Sequence, residues 1–308
     1  METVRVNSIT RLRIRCDGEG VRSVVFLHGC PLDCFWCCNP EIRAGDDYRT
    51  LTAEQLWRHL ERDLPYFLSS GGGITFSGGE PLVWGAFLEE FIPQYCQGFS
   101  VDLETSLDAS WHRVENLTPL VNQWCVDFKQ ADPEMHRQFT GSTNDRILQN
   151  LTQLANRIPG ERILITWPVI PGYNDSDENI RAMIDWLNRL GLKRIELHPY
   201  RKIAEEKQRS TGRTPVEVKE LTPERRRQLE QRLREAGLTP ETRKSPYGKE
   251  KCEYLKALRR SFCEAHNWNV EILECPVTEG CIGTCPRCEY ELDEIGKMLQ
   301  TGRKENHV

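Results

Sequence analysis

Three cysteines stand in the run Gly29-Cys30-Pro31-Leu32-Asp33-Cys34-Phe35-Trp36-Cys37, at the spacing C-x3-C-x2-C. Thiolates on one tight loop are the ligands an iron–sulfur cluster uses, and three of them on a four-iron cube leave one iron open to a small molecule. Cys38 follows directly and reads as a spare thiol, because a fourth ligand would close the open iron. A zinc site, or a chance run of buried thiols, is the competing reading. Farther on, Gly78-Gly79-Glu80 offers a glycine pair that lets backbone approach a ligand and a carboxylate able to receive an ammonium group.

A second C-x3-C-x2-C occurs at Cys281, Cys285 and Cys288, with Cys275 just upstream. The run Gly280 to Glu291 has glycine and proline but no apolar strand, so it reads as a metal-knotted loop. Four thiolates there would hold an auxiliary [4Fe-4S] cluster, and equally a structural zinc. Cys252 and Cys263 could replace Cys275 as a ligand, or serve as small buried residues. The chain has 13 cysteines: seven at or before Cys125, none from there to Cys252, and six in the tail. With no signal-peptide pattern at the start, reduced thiols and a cytoplasmic location are expected.

The elements that must position these residues follow a strand-then-loop pattern. Apolar strands are expected at 22–28, 74–76, 99–105, 124–129, 162–170 and 193–200. Helices are expected between them, including one from the capping box at Thr52, others over 144–156 and 177–190, and a later one from Thr222-Pro223. The alternation predicts an α/β fold with a parallel sheet, a partial (β/α)6 TIM-type barrel over residues 1–245 followed by a small metal-binding extension over 246–308. In such a barrel the strand ends share one mouth, which would gather Cys30, Glu80, Glu104, Lys129 and His198 to Arg201.

Composition excludes several classes. Of 308 residues, 38% are hydrophobic and 28% charged, and no apolar run reaches the roughly 18 residues a membrane span needs. The net charge of −5 hides a local imbalance, because residues 201–260 hold eighteen Lys and Arg against ten Glu. That stretch reads as solvated helix faces or as a surface for an acidic partner; no nucleic-acid motif accompanies it, so neither nucleic acid nor membrane is an expected partner.

The triplet with its aromatic neighbour Trp36, followed about forty residues later by Gly78-Gly79-Glu80, resembles the radical S-adenosylmethionine enzymes. Seven phrases in order narrow the resemblance to the activating enzymes of glycyl radical enzymes, the pyruvate formate-lyase activase group. They run from Asp17-Gly18-Glu19-Gly20-Val21-Arg22 through Thr75 to Pro81, Leu103-Glu104-Thr105-Ser106, Asp127-Phe128-Lys129, His136 to Gly141 and Val169 to Asp175, and end at His198-Pro199-Tyr200. The resemblance covers about residues 9–245. It implies a [4Fe-4S] cluster on Cys30, Cys34 and Cys37 whose open iron binds S-adenosylmethionine, and reductive cleavage to a 5′-deoxyadenosyl radical. It also implies hydrogen abstraction from a glycine of a large partner enzyme, with an electron donor such as flavodoxin or ferredoxin.

By the same resemblance Trp36, Gly78, Gly79 and Glu80 border S-adenosylmethionine. Glu104, Thr105 and Asp127 would lie near a cation and the S-adenosylmethionine carboxylate, Lys129 would contact the nucleoside or carboxylate end, and His198 and Arg201 complete the pocket. This chain departs from the pattern at Glu104, where Asp is usual, at Thr166, where Arg is frequent, and at Tyr200-Arg201, where His closes the phrase. It also lacks the ferredoxin-like insertion, having no cysteine between Cys38 and Cys96. The tail and these departures keep a second reading open, a radical maturase of a peptide, protein or small molecule that uses an auxiliary C-terminal cluster.

Overall fold

The structure, a computed structural model, describes residues 2–272 and 285–305. The chain enters as Thr3–Ile14 (β1), which runs antiparallel to Val21–Leu27 (β2) on one side and to Arg49–Thr52 (β3) on the other. From β2 onward the sheet is parallel: Gly73–Gly78 (β4), Ser100–Thr105 (β5), Gln123–Asp127 (β6), Ile163–Val169 (β7), Arg194–Pro199 (β8) and Thr239–Glu241 (β9) follow in spatial order. Among the described residues this makes one open nine-stranded sheet, β3-β1-β2-β4-β5-β6-β7-β8-β9.

The six expected strands are β2 and β4 to β8. Their near-continuous burial is what a sheet covered by helices requires: in β2 every residue but Phe26 is buried. Sequence pattern missed β1, β3 and β9. β1 alternates exposed and buried residues along an antiparallel margin and carries Arg5, Arg11 and Arg13 on its wetter positions, and β9 is only three residues long. The helices pack outside. Ala53–Leu60 begins with the expected capping box, in which Thr52 and Gln55 exchange bonds. Asp145–Ala155 and Asp177–Arg189 fill the positions expected for them. The main core joins Val25, Leu27, Phe76, Leu103, Trp124 and Trp167, all fully buried, with the inner faces of these helices.

The tail differs from expectation. Cys275 and Cys281 lie outside the described residues, but from Pro286 the chain is a helix, Pro286–Glu305, rather than a knotted loop. Proline fits the first turn, and Cys288, Leu292, Ile295 and Leu299 recur at helical spacing, so one face is apolar. This helix and Gly248–Ala265 pack on the outside of the sheet, where Leu255 and Leu292 share a core with Leu12, Ile14, Val21 and Tyr66. Cys252 and Cys263 are buried in the same helix pair.

A polar joint reinforces that contact. The Asp63 carboxylate, fully buried, receives the Arg11 guanidinium at 2.5 and 2.8 Å and the Ser23 hydroxyl at 2.7 Å, while Arg11 and Arg62 reach Glu289 of the tail helix. Replacing Asp63 by Ala removes the nearer partner of a mostly buried guanidinium, leaving it only the longer contact to Glu289, and strands a buried hydroxyl. We expect a loss of about 3 kcal/mol of stability, read as a lowered urea midpoint with unchanged helix content.

Candidate active site

Each parallel strand delivers its last residues to one mouth. β2 leads through Gly29 into the cysteine loop, β4 into Gly78-Gly79-Glu80, β5 ends on Glu104 and Thr105, β6 on Asp127, and β8 on His198 and Pro199. The mouth holds a cavity of about 270 Å³. Cys30, Cys34, Trp36, Cys37, Gly78, Gly79, Glu104, Thr105, Asp127, Lys129, His198 and Arg201 all line it, as do Ser77, Ser106 and Thr166.

Glu80 is the one residue of the expected set that does not line the cavity. Its side chain is fully buried, and it accepts bonds from Thr105 Oγ1 (2.6 Å), Leu82 N (3.1 Å), Ser106 N (2.8 Å) and Ser106 Oγ (2.5 Å). Burial pushes the carboxyl pKa up while these bonds pull it down. Its backbone N–H donates to Gly29 O at 2.8 Å, immediately before Cys30. The glycine pair serves this packing as well. Gly78 has a φ of +116°, and a Cβ on Gly79 would come within 2.1 Å of Gly29 O and 3.1 Å of Cys30 Cβ. Gly78 therefore admits the backbone at the end of β2, at Phe26 and Leu27, and Gly79 the backbone of the cysteine loop, where sequence alone suggested room for a ligand.

Cys30, Cys34 and Cys37 are partly exposed free thiols. Burial raises all three pKa values, that of Cys30 to about 12, with the Glu80 charge adding to it; the Lys129 charge works the other way at each. Such thiols stay protonated in the empty protein and ionise on binding metal. Among the described residues no three His, Cys, Asp or Glu side chains gather closely enough for a single metal ion. A cube takes one thiolate per iron, so its three sulfurs need only face a common space. The donor set thus fits a [4Fe-4S] cluster held by Cys30, Cys34 and Cys37.

The charged groups divide into two kinds. Burial would push Asp127 up, but the Lys129 ammonium at 2.5 Å and the Thr166 hydroxyl hold its carboxyl below the usual range. Thr166 lies opposite Asp127 in the β6–β7 register, so the threonine that stands in place of arginine supplies a neutral donor instead. Glu104 goes the other way: burial, then the nearby Asp17, push it up to about 7 despite a bond from Ser77 and the charges of His198 and Arg243. His198 bonds Glu196 Oε2 at 3.0 Å, which raises its pKa against burial, and Arg243 also pairs with Glu196. The mouth therefore offers one ionised carboxylate already paired with a lysine and one carboxyl that a bound cation would ionise, which suits a ligand carrying both charges.

The fold and this site define the class. The chain belongs to the radical SAM superfamily, which it matches over residues 24–187. Among characterised relatives it is 31% identical to the pyruvate formate-lyase 2-activating enzyme of Escherichia coli K12, covering 69% of this chain and 82% of that one. It is 30% identical to the isethionate sulfite-lyase activating enzyme of Nitratidesulfovibrio vulgaris, with 70% and 90% covered, and 29% identical to the (2S)-3-sulfopropanediol dehydratase activating enzyme of Klebsiella oxytoca, with 68% and 86% covered. In fold it is similar to Streptococcus suis SuiB bound to S-adenosylmethionine, at a TM-score of 0.55 and 18% identity over 70% of this chain and 48% of that one.

Beyond the expected residues, the structure adds Ser106 and Thr166, whose hydroxyls fix Glu80 and Asp127. In the sequence Ser106 appears only as the end of a shared phrase and Thr166 only as a departure from it; the cross-strand pairing of Thr166 with Asp127 shows its role. No helix among the described residues is long and apolar enough to cross a membrane.

Two outcomes are expected. Glu80→Ala leaves up to four buried donors unmet and lowers the stability of the cluster-free protein by about 2–4 kcal/mol; a residue serving only as a ligand contact would leave that stability unchanged. For Glu104 the folded pKa lies above its ordinary value of 4.5, so its stabilising effect is complete below that value and is lost as pH rises through about 7. Melting temperatures of the cluster-free protein should fall across this window, and Glu104→Gln should flatten the fall.

Proposed function

We propose that the protein activates a glycyl radical enzyme, abstracting a backbone glycine hydrogen from a partner polypeptide. The observation that carries this reading is the convergence of Cys30, Cys34 and Cys37 with Glu104, Asp127 and Lys129 on one cavity, in a chain about 30% identical to several activating enzymes of this kind. When bound, the cluster and S-adenosylmethionine supply an electron and a 5′-deoxyadenosyl radical.

The chain's own residues do the rest. The three cysteines hold the cluster, and the backbone of Gly78 and Gly79 borders the methionine end. Glu104 and the Asp127–Lys129 pair receive the ammonium and carboxylate charges, the ion pair giving Lys129 a fixed direction at 2.5 Å. Trp36, His198 and Arg201 form the remaining wall, and burial around Trp36 keeps water from that side. A small flavodoxin- or ferredoxin-type protein is the electron donor in this reading, and the chain works in the cytoplasm.

The tail forms a second unit from about residue 246 and carries an auxiliary iron–sulfur or zinc centre. This rests on Cys285 and Cys288, whose sulfurs lie 3.8 Å apart, and on the lowered pKa of Cys285. Burial opposes that lowering, but the N–H groups of Cys288 and Arg287 and the Cys288 thiol overcome it. The fully buried Arg259 stands 3.7 Å from the Cys288 sulfur and offsets thiolate charge. A maturase acting on another peptide or small molecule is the alternative that such a centre favours.

Anaerobic mixing of the reduced enzyme, S-adenosylmethionine and a glycyl radical enzyme encoded beside it should give a glycyl doublet in the electron paramagnetic resonance spectrum. Cys30→Ala should abolish it. Absence of the doublet, with S-adenosylmethionine still cleaved, would favour the maturase. Metal analysis should find more than four irons, or a zinc, per chain, the excess falling when Cys285 and Cys288 are both replaced by Ala.

A further inference from the structure

The helix Ile203–Ser210 follows β8 and crosses the outer side of the cysteine loop. Ala204, fully buried, packs into a cluster with Trp36, Phe139, Ile170 and Tyr200. One turn on, Gln208 is 2% exposed and points its amide at the loop, donating to Phe35 O at 2.6 Å and to Cys37 O at 3.3 Å. Lys207 donates to Asn39 Oδ1 at 3.0 Å and pairs with Glu41 at 2.7 Å, and Arg213 just beyond the helix bonds Asp33. From the other side, Thr140 O and Phe139 O accept from Asp33 N at 2.7 Å and Phe35 N at 3.2 Å. The loop is thus held between two elements at alternate residues, on the very stretch that carries Cys34 and Cys37.

One bond inside the loop gives this clamp a chemical consequence. Asn39 N donates to Cys37 Sγ at 3.4 Å. N–H donors to cluster sulfurs stabilise the more negative, reduced state and so raise the potential. Gln208 fixes the carbonyl of Cys37 and Lys207 fixes the side chain of Asn39, so between them they hold both ends of that bond.

We propose that helix Ile203–Ser210 is a strap that sets the spacing of the cluster thiolates and the reduction potential of the site, with Gln208 as its positioning residue. This rests on the reading of Cys30, Cys34 and Cys37 as cluster ligands, and it is independent of which partner is activated. Gln208 touches no reacting atom; it acts through the backbone of Phe35 and Cys37.

The test uses the reconstituted full-length enzyme and three variants: Gln208→Leu, which keeps the bulk and removes the donors; Lys207→Met; and Arg209→Ala, which alters the same helix at an exposed side chain paired with Glu205 of that helix. Two quantities are read, bleaching of the cluster's visible absorbance under a chelator and the midpoint potential by redox titration. Gln208→Leu should load iron as the parent does, lose its cluster about fivefold faster, as one net hydrogen bond implies, and have a lower potential. Lys207→Met should shift both in the same direction and Arg209→Ala neither. If Gln208→Leu does not fold, Lys207→Met carries the test, because its side chain is partly exposed. Parental bleaching and potential in the folded variants would overturn the strap, as would equal changes in Arg209→Ala. These outcomes are separable from failure of the activase reading, which would remove the glycyl doublet and leave bleaching and potential as stated.

Discussion

The buried carboxylate of Glu80 is the constraint on which the mouth depends. A carboxylate taken out of water is costly unless its oxygens are met, and here donors from the start of the Pro81–Trp84 turn and from the end of β5 meet both. Strand ends that parallel pairing leaves unbonded are thereby tied side by side. Its own N–H holds Gly29 O, so the same residue sets where the cysteine loop departs from β2. The wall that would border a bound S-adenosylmethionine and the loop that would hold iron are one connected piece.

On that frame the charged residues are sorted by their neighbours more than by their type. Asp127 and Glu104 sit on adjacent strands with comparable burial, yet one is held ionised by Lys129 and Thr166 and the other is pushed toward neutrality. The difference lies in which cation is already supplied. Below the mouth, the interior is closed by Arg22, which bonds Thr75 and Ser100 and pairs with Asp102 at 3.2 Å, so the expected phrase from Asp17 to Arg22 belongs to the floor of the barrel.

The parallel strands and the mouth were legible because both leave strong local marks: apolar runs of strand length, and polar residues where each run stops. Twelve of the thirteen residues expected around the cofactors line the cavity, and Glu80 departs for a reason spacing cannot carry. Whether a carboxylate after two glycines faces a ligand or the protein depends on how closely two loops approach, and that is a tertiary fact. β1 was missed because its charges suit an antiparallel margin with one wet face. The strap was hidden for a related reason. Gln208 lies in a charged helix, and only the loop lying under it distinguishes that glutamine from its solvated neighbours.

The placement of the tail bears on what an auxiliary centre could do. Leu255 and Leu292 pack beside Val21, at the beginning of β2, and Arg259 joins Tyr66 to the helix carrying Cys288. The cysteine loop leaves the far end of the same strand, six residue steps or about 20 Å away. The sulfurs of Cys285 and Cys288 therefore stand on the outside of the sheet, away from the cavity where a substrate glycine would be presented. A centre there suits electron entry or stapling of the tail better than gripping a substrate. Mechanical coupling to the mouth would run through Asp63 and Arg11 into β1 and β2, the pair of strands from which the cysteine loop is hung.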